Sequence, residues 1–122
     1  MKKKYSFKDL QFKEHYLFKG VHAVMIFDNG YGVSVTRFKL PTGSYGSYTH
    51  NDNQYEVAII FGTVDNYRLV FDTAITDSVI GYLYHEQVSE IMYKVQNIGV
   101  CYEIINNSLP SANIMDGITG TR

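Results

Sequence analysis

Through the first seventy residues apolar and polar side chains mostly alternate, and after residue 85 they recur at a helical spacing. Alternation is the period of a strand with one face buried, and a spacing of three and four is that of an amphipathic helix. In "VHAVMIFDNGYGVSVTRF" (21–38) two β-rich runs flank Asn29-Gly30, the strongest short hairpin signal. The pair predicts a type I′ turn, with both residues at positive φ. In the second run Val33, Val35 and Arg37 share one face, against Ser34, Thr36 and Phe38, so one face starts apolar and ends in a cation. "QYEVAIIFG" (54–62) predicts a strand with Tyr55, Val57, Ile59 and Phe61 on one face. "YRLVFD" (67–72) predicts another, with Tyr67, Leu69 and Phe71 opposite a polar side that carries Arg68 and Asp72 around Val70. Residues 62–66 read as the hairpin between them. "LQFKEHY" (10–16) reads as an edge strand blunted by Lys13 and Glu14.

From 85 to 98 the apolar set is Val88, Ile91, Met92, Val95 and Ile98, with Glu86 and Glu90 early, Lys94 late and Gly99 as a stop. "TDSVIGYL" before it reads as a helical turn capped by Thr76, Asp77 or Ser78 and broken at Gly81. Residues 100–105 suit either a last strand or a continued helix. The tail beyond them mixes turn residues with Leu109, Ile114, Met115 and Ile118, a segment expected to fray or to dock on another subunit. The fold expected is α+β: an antiparallel sheet of about five strands with one main C-terminal helix packed on it. Residues 1–98 form a single domain in this reading, and 99–122 a C-terminal extension involved in oligomerisation.

Composition narrows the class. A chain of 122 residues fits one domain, and a single cysteine, Cys101, excludes an intrachain disulfide, so a reducing, cytoplasmic setting is expected. The net charge of -1 provides no global field for nucleic acid, and with three arginines and no basic stripe no double-stranded partner is expected. No apolar run reaches membrane-spanning length, and the basic start at 2–4 is not followed by a signal-peptide core, so no membrane partner is expected. Eleven tyrosines and seven phenylalanines suit a wet binding surface, and equally suit strands.

The chemistry-bearing stretch is "SYGSYTHNDN" (44–53), preceded by Gly43. Gly43, Ser44, Tyr45 and Gly46 could present backbone N–H groups to a phosphate and a ring to a base, with Arg37 as the anion partner. The loop lacks the spacing of a Walker or dinucleotide motif, and a plain hairpin connection is the alternative. Ser44 or Ser47 with His50 and Asp52 has the residue types of a hydrolase triad, but three residues crowded in one loop hold attack geometry poorly. His85-Glu86 lacks the second histidine of a zinc motif, Ser89 standing at its place, and His15, His22 and His50 share no ligand spacing. No metal, cofactor or catalytic residue is therefore expected. Arg68 joins Arg37 as a candidate for an anionic ligand.

Two stretches, "VHAVMIFDNGYGVSVTRF…GSYG" and "FDTAITDSVIGYL", followed by a short amphipathic helix, resemble the anti-Thoeris sponge family of phage proteins over roughly residues 5–98. The resemblance implies an oligomeric, non-enzymatic protein that sequesters a cyclic ADP-ribose-type or cyclic nucleotide immune signal in the host cytoplasm. The positions it carries over are Gly30, Gly32, Arg37, the loop Gly43, Ser44, Tyr45 and Gly46, and the polar turn of 72–77. Ala74 stands where the pattern has proline, and "THNDNQ" is an insertion after the loop. The ligand-binding set expected is Gly30, Tyr31, Arg37, Gly43, Ser44, Tyr45, Gly46, Arg68, Asp72, Thr73 and Thr76. The alternative function is an interaction module that blocks a host or phage protein through its Tyr-rich loop. A small nucleotide hydrolase comes third.

Overall fold

A computed structural model describes residues 3–76 and 79–98. Its fold is α+β: an antiparallel sheet of six strands with one main helix across one face. The strands are β1 (Lys13–Glu14), β2 (Lys19–Ile26), β3 (Tyr31–Lys39), β4 (Tyr55–Thr63), β5 (Asn66–Leu69) and β6 (Ile80–Leu83), and the helix is α1 (His85–Gln96). The order is β1-β2-β3-β4-β5. β6 pairs with the lower half of β4, which β5 leaves free, since β5 covers only Ile60 to Thr63.

Alternation works as predicted in β3 and β4. Val33, Val35, Val57 and Ile59 are buried and stand in cross-strand pairs, Val33 with Ile59 and Val35 with Val57. Helix α1 lays Val88, Met92 and Val95, all fully buried, on that face. Burial of each such side chain contributes about 1.5–3 kcal/mol. The N-terminal segment runs beside the helix, where the Phe7 N–H donates to Ser89 Oγ at 2.8 Å and the Tyr5 N–H to Gln96 Oε1 at 3.3 Å. The buried Gln96 amide also donates to the Lys3 carbonyl, so its polar ends are matched.

Three local readings are corrected. First, the β2–β3 turn is not type I′. Gly30 alone takes a positive φ, 86°, and its N–H donates to the Phe27 carbonyl. This is a three-residue loop ending in a glycine bulge. Asn29 instead uses its side chain: Nδ2 donates to the Val95 and Gln96 carbonyls at 3.0 and 3.2 Å, and Oδ1 accepts the Tyr31 N–H. The hairpin tip thereby caps the end of α1. Second, 80–83 is the strand β6, not a helical turn, because the free edge of β4 offers backbone partners to a β-rich segment. Third, Arg68 does not lie on the face opposite the core. It pairs with Phe61 on the face where Val70 is buried, though its own side chain remains exposed. Leu69 and Phe71 on the other face are exposed as well. The segment 99–122, the stop at Gly99 and the caps Asp77 and Ser78 lie outside the described residues.

Candidate functional site

The sheet has two ends, and the candidate residues divide between them. Gly30, Tyr31 and Arg68 stand at the hairpin-tip end. There Tyr31 meets the Phe61 ring edge-on at 4.9 Å, the Arg68 guanidinium lies 5.7 Å over the same ring, and Gly30 backs onto it so closely that a Cβ would touch it at 3.0 Å. Arg37, Gly43, Ser44, Tyr45 and Gly46 stand at the opposite end. Tyr31 and Arg37 are six residue steps apart along β3, about 20 Å of extended chain. Asp72, Thr73 and Thr76 form a third group on the connection from β5 to β6, where Thr73 Oγ1 closes the turn by donating to the Thr76 carbonyl. The candidates therefore do not form one pocket.

At the loop end β3 continues into a second three-residue turn. The Gly43 N–H donates to the Leu40 carbonyl, Gly43 takes φ 93°, and the Leu40 N–H donates to the Ser44 carbonyl. Tyr45 returns beside Lys39, and the Gly46 N–H donates to the Phe38 carbonyl. Because Gly43 and Gly46 bond within the hairpin, 43–46 does not present a run of free N–H groups. What it presents is the Tyr45 side chain.

That side chain borders an open surface pocket of about 220 Å³, lined also by Lys19, Gly20, Arg37, Phe38, Lys39 and Asp52. The sheet register builds its charge. Lys19 pairs with Lys39 and Val21 with Arg37, so two lysines face each other across adjacent strands with an arginine one row away. Like charges opposite one another in a sheet are destabilising. Among the described residues the ion pair within 4 Å is Lys3 with Asp9, so none of these three cations has a carboxylate within ion-pair distance, and the one acid of the lining, Asp52, acts on Lys39 and Arg37 at longer range. Arg37 is nevertheless fixed. Its guanidinium lies 5.0 Å over the buried Tyr55 ring and donates one N–H to the Asp52 carbonyl. A guanidinium carries five N–H donors, so most of them remain for a ligand.

Asp52 is the one acid in the lining. It accepts the Tyr45 hydroxyl. This bond holds the carboxyl below its ordinary range, helped by Lys39 and Arg37 and opposed by desolvation, and it raises the Tyr45 phenol. Three cations against one carboxylate leave a net +2 in the cavity of a chain whose net charge is -1. The arrangement attracts an anion, and Tyr45, with Lys39 Nζ 5.1 Å from its ring, adds an apolar wall.

Lys19 and Lys39 escape sequence reasoning, because their pairing depends on the β2–β3 register. The triad types do not assemble: Ser47 Oγ bonds Thr49 and Phe38 while Asp52 bonds Tyr45. Among the described residues no three His, Cys, Asp or Glu side chains group as metal ligands, and no helix is long and apolar enough to cross a membrane. Compared with protein-family models, curated proteins and solved structures, the chain matches none.

Proposed function

We propose that this chain binds a small phosphate-bearing molecule at the loop end of its sheet and releases it chemically unchanged. The observation that carries the reading is the register pair Lys19–Lys39 with Arg37, three cations around one pocket that holds a single carboxylate, Asp52, and no ion pair within 4 Å. An anion relieves the repulsion that the register imposes, and Arg37 offers a fork that matches phosphate oxygens. Such binding needs no nucleophile and no metal.

The ligand proposed is a cyclic ADP-ribose-type or cyclic nucleotide signal, the class that the sequence resemblance implies, and the biological role is its sequestration in a host cytoplasm. Ligand pockets usually measure about 300–1,000 Å³. At about 220 Å³ this cavity fits the phosphates rather than the whole molecule. A homo-oligomer in which a second copy covers the remainder is therefore part of the proposal. The second reading is a module that blocks a protein, which the exposed rings of Tyr48 and Tyr82 favour.

The test is calorimetric titration with cyclic ADP-ribose isomers and cyclic di- and trinucleotides, followed by chromatography of the ligand released on heating. Saturable heat with intact recovery is expected. Recovery of a cleaved product would make the protein an enzyme, and absence of heat with all of them would leave the protein-blocking reading.

A further inference from the structure

Tyr82 is the one non-glycine among the described residues with a positive φ, 59°. That left-handed backbone is an outlier for a bulky side chain. The neighbourhood enforces it. β6 pairs Leu83 with Tyr55 but Ile80 with Val57, so one extra residue bulges between them. Bulges re-aim side chains, and they concentrate beside functional sites. Gly81 is needed because a Cβ there would lie 2.4 Å from the Tyr48 Cβ, and the Tyr82 N–H is tied to the Tyr48 carbonyl at 2.8 Å. Turned outward in this way, the Tyr82 ring stacks on His50, 4.4 Å between centroids and 25° between planes, yet the residue stays 45 % exposed. Tyr48, 56 % exposed, stands beside it. Neither local backbone preference nor burial accounts for a tyrosine here.

The loop 47–54 joins this platform to the cation cavity. Asn51 donates to the Tyr84 hydroxyl at 3.4 Å, while the next residue, Asp52, accepts from Arg37. The Cα atoms of His50 and Asp52, two residues apart, are separated by at most about 7 Å. The residue that backs Tyr82 and the residue that Arg37 bonds are therefore two positions apart on one short loop.

We infer that Tyr82, backed by His50, is the stacking subsite for the base of a nucleotide whose phosphates occupy the Lys19/Arg37/Lys39 cavity. This rests on the ligand class proposed above. Base–aromatic stacking is tolerant of base identity, so the platform adds affinity for any nucleotide with the right span and leaves discrimination to other contacts.

The experiment compares inorganic pyrophosphate, ADP and cyclic ADP-ribose on the full chain by calorimetry, with Tyr82→Gly and Tyr82→Asn. Glycine takes this backbone without strain and asparagine tolerates it, so both variants are expected to fold, with thermal midpoints equal to or above the parent. The expected result is about a tenfold loss of ADP and cyclic ADP-ribose affinity in both variants, with pyrophosphate affinity unchanged within twofold, and full affinity in Tyr82→Phe. Nucleotide binding unaffected by either variant, with pyrophosphate still bound, overturns the base subsite and leaves the cation cavity standing. Tyr82-dependent ADP binding without any pyrophosphate binding supports the subsite and overturns the cavity reading. An equal loss for all three probes overturns the subsite as a separate element.

Discussion

The two ends of the sheet carry similar side chains and treat them differently. At the hairpin-tip end a cation, Arg68, lies over Phe61, Tyr31 packs edge-on to that ring, and Asn29 closes the end of α1 through two carbonyls. At the loop end Arg37 also lies over a ring, Tyr55, but Lys19 faces Lys39, the hydrogen bond of the guanidinium goes to a backbone carbonyl, and Tyr48 and Tyr82 stay about half exposed. One end is closed by its own polar and aromatic contacts, and the other is left with charge and rings in excess. The same residue types thus close one end of the sheet and, in the function proposed, hold a ligand at the other.

Substitutions at the two ends are expected to separate these roles. The largest effect falls at the closed end: Asn29→Ala leaves the Val95 and Gln96 carbonyls without their side-chain donor and should cost about 1–3 kcal/mol in urea denaturation, with ligand affinity unchanged. A comparable loss of affinity would mean that the ends are coupled. Arg37→Ala should do the reverse, lowering affinity for a phosphate-bearing ligand about tenfold, roughly 1.4 kcal/mol, while stability moves by about 0.5 kcal/mol or less. Unchanged binding would remove Arg37 from the site. Lys19→Ser should raise stability by a few tenths of a kcal/mol, because it relieves the facing Lys39, and should weaken the salt dependence of binding. A loss of stability would show that the two lysines do not repel.

The smallest effect tests whether acid sensitivity belongs to neither end. His22 Nε2 lies 2.8 Å from Ser34 Oγ, on the sheet face away from α1, and burial, then the charge of His15, hold its imidazole below the ordinary value of 6.5. The unfolded chain therefore takes up this proton more readily than the folded one. Stability from this source is full above about pH 6.5 and falls as pH drops through and below that value. His22→Gln should flatten the pH dependence of the unfolding midpoint between pH 7 and 5. An unaltered slope would place the sensitivity elsewhere.

Much of the fold was legible because alternation in β3 and β4 and the spacing in α1 each admit one buried face. The β2–β3 register was not. A two-residue turn at Asn29-Gly30 would set Lys19 opposite Leu40, whereas the observed loop sets it opposite Lys39, and a slip of one residue exchanges every pairing. Both faces of β2 are apolar enough, Ala23 and Met25 on one and Val24 and Ile26 on the other, that hydrophobic pattern could not choose between them. The cation cavity depends on that choice, so only Arg37 and Tyr45 of it were visible beforehand. Tyr82 was hidden for a different reason. Its placement follows from the bulge against β4 and from Tyr48, 34 residues earlier, and neither leaves a local mark in "VIGYL". Arg68 was misplaced because its strand alternates apolar residues on both faces, and the pairing with Phe61 decides which face is covered.

The most direct measurement is a titration of isotope-labelled protein with inorganic pyrophosphate, followed through backbone amide shifts. The account predicts saturable shifts confined to Lys19, Gly20, the stretch from Arg37 to Tyr45, and Asp52, and lost together in Arg37→Ala. Shifts centred on Tyr31, Phe61 and Arg68, or no saturable shifts at all, would contradict it.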